Sequence, residues 1–287
     1  MAHKILVTGS TGTVGKPIVK ALQQRKASFV AAARDPEKAK GILGTDTPLV
    51  QFDFSDPSTY KQAVDGVDKI FVLGPPMVLE LDKLIIPFID FLKSNGHYHV
   101  VYMGALGLEH VKELPFHDRI IQHIASNGFD LTVLKPSFFA QNFKNYEWDN
   151  ITQRGVVYVP ASTGKVSTID ANDIAAVAAA ALTEEGHIGK TYELTGPELF
   201  TYHDIAALLT EITGKTIVYP APSPQEFAAT LEAAGAPAFI ASYMNNVYKL
   251  ISDNFVGYIS NDVEKVTGKK PTPLREVLQR DFAAVVA

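Results

Sequence analysis

The sequence predicts an α/β fold: a doubly wound parallel sheet with a smaller mixed C-terminal lobe. Two features of the 287 residues predict it. Short apolar runs alternate with helix-period segments across short connections, the pattern of strand–helix–strand units. The first such unit, Lys4 to Lys16 (KILVTGSTGTVGK), joins strand to helix through Gly9, Gly12 and Gly15.

Ile5 to Thr8 read as a buried strand, and Ile18, Val19 and Leu22 mark one face of the helix that follows. In a strand–turn–helix unit of this kind the first glycine allows the sharp turn. The second removes a side chain where the backbone approaches a pyrophosphate, and the third lets the helix pack closely. Thr11, Thr13 and Val14 complete the turn. The free N–H groups of the first helical turn, aided by the helix dipole, then face the anion. The expectation is a Rossmann dinucleotide site, although the spacing is GxxGxxG and the commonest fingerprint is GxGxxG.

Phe29 to Ala33 form the second predicted strand, with Arg34 at its end. Asp35 then caps a helix that has Pro36 at its first position. This strand end meets the adenine ribose, where an acidic residue accepts the 2′-hydroxyl of NAD and an arginine accommodates the 2′-phosphate of NADP. Arg34, with Lys38 one helical turn on, favours NADP; Asp35 is the competing ribose ligand if the strand runs one residue further.

The third strand is read as Pro48 to Phe54, ending in Asp53 and Phe54, and a helix is expected from Ser58 to Asp65. The fourth is Lys69 to Leu73, followed by Gly74 and Pro75, with Gly74 read as leaving room for the cofactor's ribose and phosphate. A helix from Leu79 to Asn95 leads to the fifth strand, His99 to Met103, which Gly104 and Ala105 follow. Ligands of open α/β sheets lie outside the carboxyl ends of the strands, so Leu73, Gly74, Pro75, Met103, Gly104 and Ala105 join the expected cofactor contacts.

Composition excludes several classes. The chain is 46% hydrophobic and 20% charged, with a net charge of −5, the profile of a soluble globular protein. No basic run is long enough for a nucleic-acid stripe. There are no cysteines, hence no disulfide, thiolate nucleophile or cysteine zinc site. His97 and His99 stand at a loop–strand junction without an acidic neighbour in sequence, so no metal is expected. The most apolar helix carries Glu80, Asp82, Lys83 and Asp90, which argues against a membrane span. Cytoplasmic location is the expectation, as a monomer or homodimer.

The sixth strand, Leu131 to Leu134, runs into LKPSFFAQNF (Leu134 to Phe143). This segment resembles the R-P-x-x-F-x-x-N-F stretch of the NmrA-like family of atypical short-chain dehydrogenases/reductases. RDPEKA (Arg34 to Ala39), PASTGKVSTIDANDIA (Pro160 to Ala175) and LTEEGHIGKTYELTG (Leu182 to Gly196) are similar to that family as well. Within it, the type-2 quinone oxidoreductases and triphenylmethane reductases resemble this chain most. The resemblance implies that Asp53 hydrogen-bonds the adenine amino group, and that Pro136, Ser137 and Phe138 lie beside the nicotinamide. It implies that Phe139, Asn142 and Phe143 wall a substrate pocket, which Trp148 and Tyr146 are placed to join by stacking on a flat substrate. For each phenylalanine, and for Trp148, plain core packing is the alternative.

Ordinary short-chain dehydrogenases carry Tyr-x-x-x-Lys on the helix after strand five, the lysine lowering the tyrosine pKa for proton transfer. Here that helix reads Pro115-Phe116-His117-Asp118-Arg119, and the usual serine after strand five is replaced by Gly104-Ala105. His117 is the side chain there that titrates near neutrality. By resemblance it orients the nicotinamide carboxamide or donates a proton; an exposed helix histidine is the alternative. The expected activity is NADPH-dependent hydride transfer to an electron-poor aromatic or quinone-like acceptor, for which a protein acid is optional. A non-enzymatic NADP-binding redox sensor is the rival.

The division expected is 1–155 for the dinucleotide-binding domain and 156–287 for late Rossmann strands interleaved with a substrate lobe. In the latter, Asp170 caps an alanine-rich helix to Leu182, Thr191–Leu194 and Thr216–Tyr219 read as strands, and Thr201–Thr213, Ser223–Ala233, Pro237–Ser252 and Leu274–Val285 as helices.

Overall fold

The computed structural model describes residues 4–282. Seven parallel strands form one sheet in the order β3-β2-β1-β4-β5-β6-β7. They are β1 (Lys4–Val7), β2 (Ser28–Ala33), β3 (Leu49–Gln51), β4 (Lys69–Val72), β5 (His99–Met103), β6 (Asp130–Pro136) and β7 (Thr191–Leu194). The chain passes from β1 outward to β2 and β3, then returns to β4 on the other side of β1. The β1/β4 boundary is therefore the switch point, the usual seat of a ligand in such sheets.

The inner strands β1, β4 and β5 are almost continuously buried because both faces are covered. Alternation sends Ile5, Val7, Phe71, Val101 and Met103 to one face, with α1 (Gly15–Gln24) and the later α7 (Ala171–Thr183). Leu6, Ile70, Val72, Val100 and Tyr102 go to the other. The helices α2 (Pro36–Leu43), α3 (Tyr60–Ala63), α4 (Leu81–Asn95), α5 (Phe116–Ser126) and α6 (Asn142–Asn145) complete the first part. After α7 come α8 (Tyr202–Thr213), α9 (Pro224–Ala233), α10 (Ala238–Ser252), α11 (Asp262–Thr267) and α12 (Leu274–Phe282). No helix among the described residues is long and apolar enough to cross a membrane.

Several expected elements are shorter. Strand three stops at Gln51, because Phe52 and Phe54 turn into an aromatic cluster with Tyr60 and Phe88, at ring distances of 4.8–5.8 Å. The helix expected from Ser58 opens as a 3₁₀ turn, Pro57–Thr59, capped by Asp56, before α3. The segment 216–219 makes a single bridge, Val218 to Val156, and is not a sheet strand; Gly155 turns away in the left-handed region and Pro220 ends the pairing. Helix α12 is described to Phe282, and the positions expected to continue it, 283–285, lie outside the described residues.

The C-terminal segments are tied to the sheet's carboxyl edge through Asp170, which is 1% exposed. Its carboxylate accepts from Gln141 Nε2 (2.7 Å), Asn172 N (3.0 Å) and Arg280 Nη1 (2.9 Å), joining the start of α7 to α12 and to the segment after β6. Burial alone would raise its pKa. The Arg280 and Asn172 bonds outweigh that and hold it below the ordinary value. Asp170→Asn should lower the unfolding free energy by about 2 kcal/mol, the scale of a hydrogen bond to a charged group, as read in urea denaturation at pH 7. Because the folded pKa is the depressed one, the difference between the two proteins should shrink as pH falls below the ordinary carboxylate range.

Candidate functional site

The turn from β1 to α1 is fixed at three points. Gly9 has φ +62°, a left-handed value that favours glycine. Thr8, fully buried, shares its hydroxyl proton between the carbonyls of Phe71 and Leu73 (3.1 Å each) and accepts from Leu73 N (2.8 Å). It thereby clamps β1 to β4 at the switch point. Ser10 donates to Ala32 O at 2.7 Å and holds the turn to β2. A Cβ on Gly15 would stand 2.1 Å from Gly9 O, so α1 starts directly against the backbone it has just left. A Cβ on Gly12 would approach Gly9 O at 3.3 Å and meets no side chain.

The N-terminus of α1 has no side-chain cap and no acidic residue in its first turn. By contrast, α2, α7, α8 and α9 are capped by Asp35, Asp170, Thr201 and Ser223. Backbone N–H groups left unpaired at a helix start form an anion site; here Gly12 N bonds Gly9 O (3.0 Å), Lys16 N bonds Gly12 O (3.1 Å) and Pro17 has no N–H, so the donors expected from the whole first turn narrow to those of Thr13, Val14 and Gly15. Thr11, Gly12 and Thr13 reach the surface there, and Val14 is buried behind them. Thr13 Oγ1 also accepts from Asn145 Nδ2 at 3.1 Å.

The other expected contacts follow the carboxyl edge of the sheet. Arg34 is exposed immediately after β2, with Lys38 exposed on α2. Asp35 is engaged as the α2 cap, accepting from Lys38 N at 3.0 Å. Asp53 and Phe54 lie beyond β3. The Asp53 carboxyl accepts from the Ser55 hydroxyl (2.7 Å) and N–H (2.8 Å), bonds that hold it below the usual carboxylate range with help from Arg34. Leu73, Gly74 and Pro75 follow β4, Gly104 and Ala105 follow Met103 at the end of β5, and Ser137 and Phe138 follow Pro136 at the end of β6. Gly74 needs a different reason from the one expected. A Cβ there would strike Leu81 (2.6 Å) and Ile85 (2.9 Å), so its smallness serves the packing of α4.

His117 sits in the first turn of α5. Its Nδ1 lies 2.6 Å from the hydroxyl of Tyr102 on β5. Burial, and then the Lys135 ammonium, push its pKa down to about 4, so the ring is neutral at physiological pH. Burial holds the Tyr102 phenol well above its ordinary value. Lys135 in turn pairs with Glu109 (3.3 Å), and Asp82, near Tyr102, with Arg119 (3.0 Å).

The four expected substrate contacts divide. Phe139 and Asn142 are partly exposed. Phe143 is 4% exposed, and it lines, with Phe138, Phe139, Asn142, Glu147, Thr168, Tyr202 and Tyr248, a cavity of about 10 Å³, room for one water. Trp148 does not reach this cavity: its indole stacks on Phe282 at 5.2 Å, which makes it packing for α12. The hydroxyls of Ser137 and Thr168 are buried without a partner among the described residues. Helix α10 covers the strand ends, with Tyr248 at 5.8 Å from Phe138.

Sequence reasoning missed Thr8, Ser10, Tyr102 and Glu147. Tyr102 carried a signal, since a phenol inside the apolar run HVVYM needs a partner for its hydroxyl. Glu147 carried none; burial raises its pKa, against the Tyr158 N–H and Asn150 bonds that lower it. The histidine pair read as lacking an acidic partner has one: His97 Nε2 is 3.0 Å from Asp130. No group of three or more metal-ligating side chains gathers among the described residues.

Comparison with known proteins matches residues 1–282 to the model of the NmrA-like family. The chain belongs to that family. It is 32% identical to the NAD(P)H azoreductase of Xenophilus azovorans over 283 residues, covering 98% of each chain. It is 27% identical to quinone oxidoreductase 2 of Escherichia coli over 285 residues, 97% of this chain and 98% of that one. Among solved structures, the NADPH complex of the Escherichia coli NADPH-dependent quinone oxidoreductase matches with TM-score 0.88 at 26% identity, covering 97% and 99% of the two chains. The Citrobacter triphenylmethane reductase complexed with NADP(H) matches with TM-score 0.85 at 26% identity and the same coverage. The family match therefore covers the whole described chain.

The two inner glycines of the turn should separate folding from ligand binding. Gly15→Ala should cost at least about 3 kcal/mol of stability, the upper range for overpacking, because backbone has to move. Gly12→Ala should cost under about 1 kcal/mol yet weaken dinucleotide binding at least tenfold, about 1.4 kcal/mol. Thermal denaturation and a fluorescence titration check the pair.

Proposed function

We propose that this NmrA-like protein is an NADPH-dependent reductase whose acceptor is a flat, electron-poor conjugated molecule, such as a quinone or a dye. An NAD(P)H-dependent oxidoreductase of the azoreductase and quinone reductase type is the reading that its relatives support. The observation that carries it is the uncapped N-terminus of α1 behind a glycine turn at the switch point.

That arrangement fits a dinucleotide. The α1 N–H groups with Thr11, Gly12 and Thr13 hold the pyrophosphate. Arg34 and Lys38 pair with the 2′-phosphate, and Asp53 with Phe54 borders the adenine. Leu73 and Pro75 border the ribose. Met103, Gly104, Ala105, Pro136, Ser137 and Phe138 seat the nicotinamide. NADPH, when bound, supplies the hydride. Phe139 and Asn142 border the acceptor, while α10 limits water at the strand ends. His117, neutral, is not positioned to release a proton of ordinary acidity, and a reduced quinone takes its proton from water.

Asp35 is occupied as a helix cap, which leaves Arg34 to decide the cofactor. Arg34→Ala should remove about 1.5–3 kcal/mol from NADPH binding and leave NADH nearly unchanged. Equal affinity of the intact protein for both cofactors would show the assignment to be wrong.

General acid catalysis is typically worth about 10²–10⁴-fold. His117→Ala should slow reduction of a quinone by about tenfold or less, roughly 1.4 kcal/mol. With a folded pKa near 4, His117 stays unprotonated from pH 5.5 to 8, so the rate of the intact protein should be flat across that range. NADPH oxidation followed by absorbance against a panel of quinones and dyes tests the reading. Tight NADPH binding with no turnover on any acceptor would return the protein to a cofactor-binding sensor.

A further inference from the structure

The contact between Tyr102 and His117 settles more than the charge of the ring. At 2.6 Å one of the two groups donates to the other. Tyr102 is fully buried, and His117 Nδ1 is the partner of its hydroxyl among the described residues. Were the phenol oxygen to accept from Nδ1–H, its own proton would be enclosed without an acceptor, at the cost of an unpaired buried donor. With the hydroxyl donating, Nδ1 accepts and the imidazole proton resides on Nε2. Nε2 makes no hydrogen bond among the described residues, and it is not one of the enclosed polar atoms left unpaired. His117 is partly exposed. The first turn of α5 lies at the carboxyl end of the sheet, where Ile121 Cδ1 stands 3.9 Å from the Cβ position of Gly104. Asp82 with Arg119, and Lys135 with Glu109, are the charged groups facing this pair, and each has its own partner.

We infer that Tyr102 is a positioning residue that locks His117 as the Nε2–H tautomer. In that form the imidazole gives a hydrogen bond to a lone pair that grows more basic during the reaction. The inference rests on the reductase reading and narrows its substrate class. In a quinone, a hydride from the reduced nicotinamide brings two electrons and one proton, and leaves one carbonyl oxygen as an oxyanion. Nε2–H stabilises that oxygen, and water then supplies the second proton, giving hydroquinone and oxidised nicotinamide. A cationic triarylmethane carbon becomes neutral on accepting hydride and develops no such oxygen. A donor fixed in this way favours acceptors with a carbonyl oxygen, or an equivalent lone pair, conjugated to the reacting centre.

Two measurements test this. The first uses the full chain without cofactor, labelled with ¹⁵N-histidine, with His117 assigned by comparison with His117→Gln. At neutral pH, Nδ1 should show the shift of an unprotonated ring nitrogen and Nε2 that of a protonated one, and Tyr102→Phe should move both toward a tautomer mixture. A protonated Nδ1 in the intact protein, or shifts unaltered by Tyr102→Phe, overturns the lock. The second compares NADPH-dependent rates on a benzoquinone and a cationic triarylmethane dye. The quinone-to-dye rate ratio should fall about tenfold in His117→Ala and in Tyr102→Phe, and His117→Gln, which restores an N–H donor, should recover most of it. An unchanged ratio overturns the substrate inference. An intact protein that oxidises NADPH with neither acceptor overturns the reductase reading instead, and the nitrogen shifts still decide the tautomer.

Discussion

Everything at the carboxyl edge of the sheet depends on how closely α1 approaches the end of β1. Gly15 stands where any side chain would collide with the backbone of Gly9. That contact aims the helix start at the switch point, where Gly12 and Lys16 bond back into the turn and the N–H groups of Thr13, Val14 and Gly15 make no backbone bond among the described residues. Thr8 and Ser10 then tie the same turn to β4 and β2, so the turn cannot swing away from the strands that flank it. A phosphate-binding loop gains from such rigidity, because N–H groups already in place need no reordering when the anion arrives.

The second constraint is electrostatic. The neighbourhood of His117 and Tyr102 combines a neutral imidazole, a neutral phenol and two ion pairs, each cation having an anionic partner. A protonated His117 would be disfavoured by burial, by Lys135 and by the positive end of α5. His117 is therefore not a group that releases a proton near neutrality, whereas Glu147, beside Phe139 and Asn142, is a buried carboxyl whose pKa burial raises.

The later helices act as a wall. Helix α10 brings Tyr248 over Phe138, while α12 anchors Trp148 through Phe282 and Asp170 through Arg280. A change at α12 therefore reaches the segment after β6 through Gln141, which bonds Asp170. The segment after β6 is in this way linked to residues more than a hundred positions away in the chain.

The glycine spacing, the alternation of apolar runs with helices, and the Asp35 and Asp170 caps were legible in the sequence because each is a local property of backbone geometry. The bounds of β5 and β7 were legible for the same reason. Four features were decided by tertiary structure. Strand three lost its end to an aromatic cluster with α4, and the smallness of Gly74 serves Leu81 and Ile85; both depend on helices packed across the sheet. Trp148 belongs to the core because α12, distant in sequence, supplies Phe282. The partnership of Tyr102 with His117 depends on strand parity and on which helix covers that face, and no spacing within the chain encodes a contact between a strand and the helix packed beneath it.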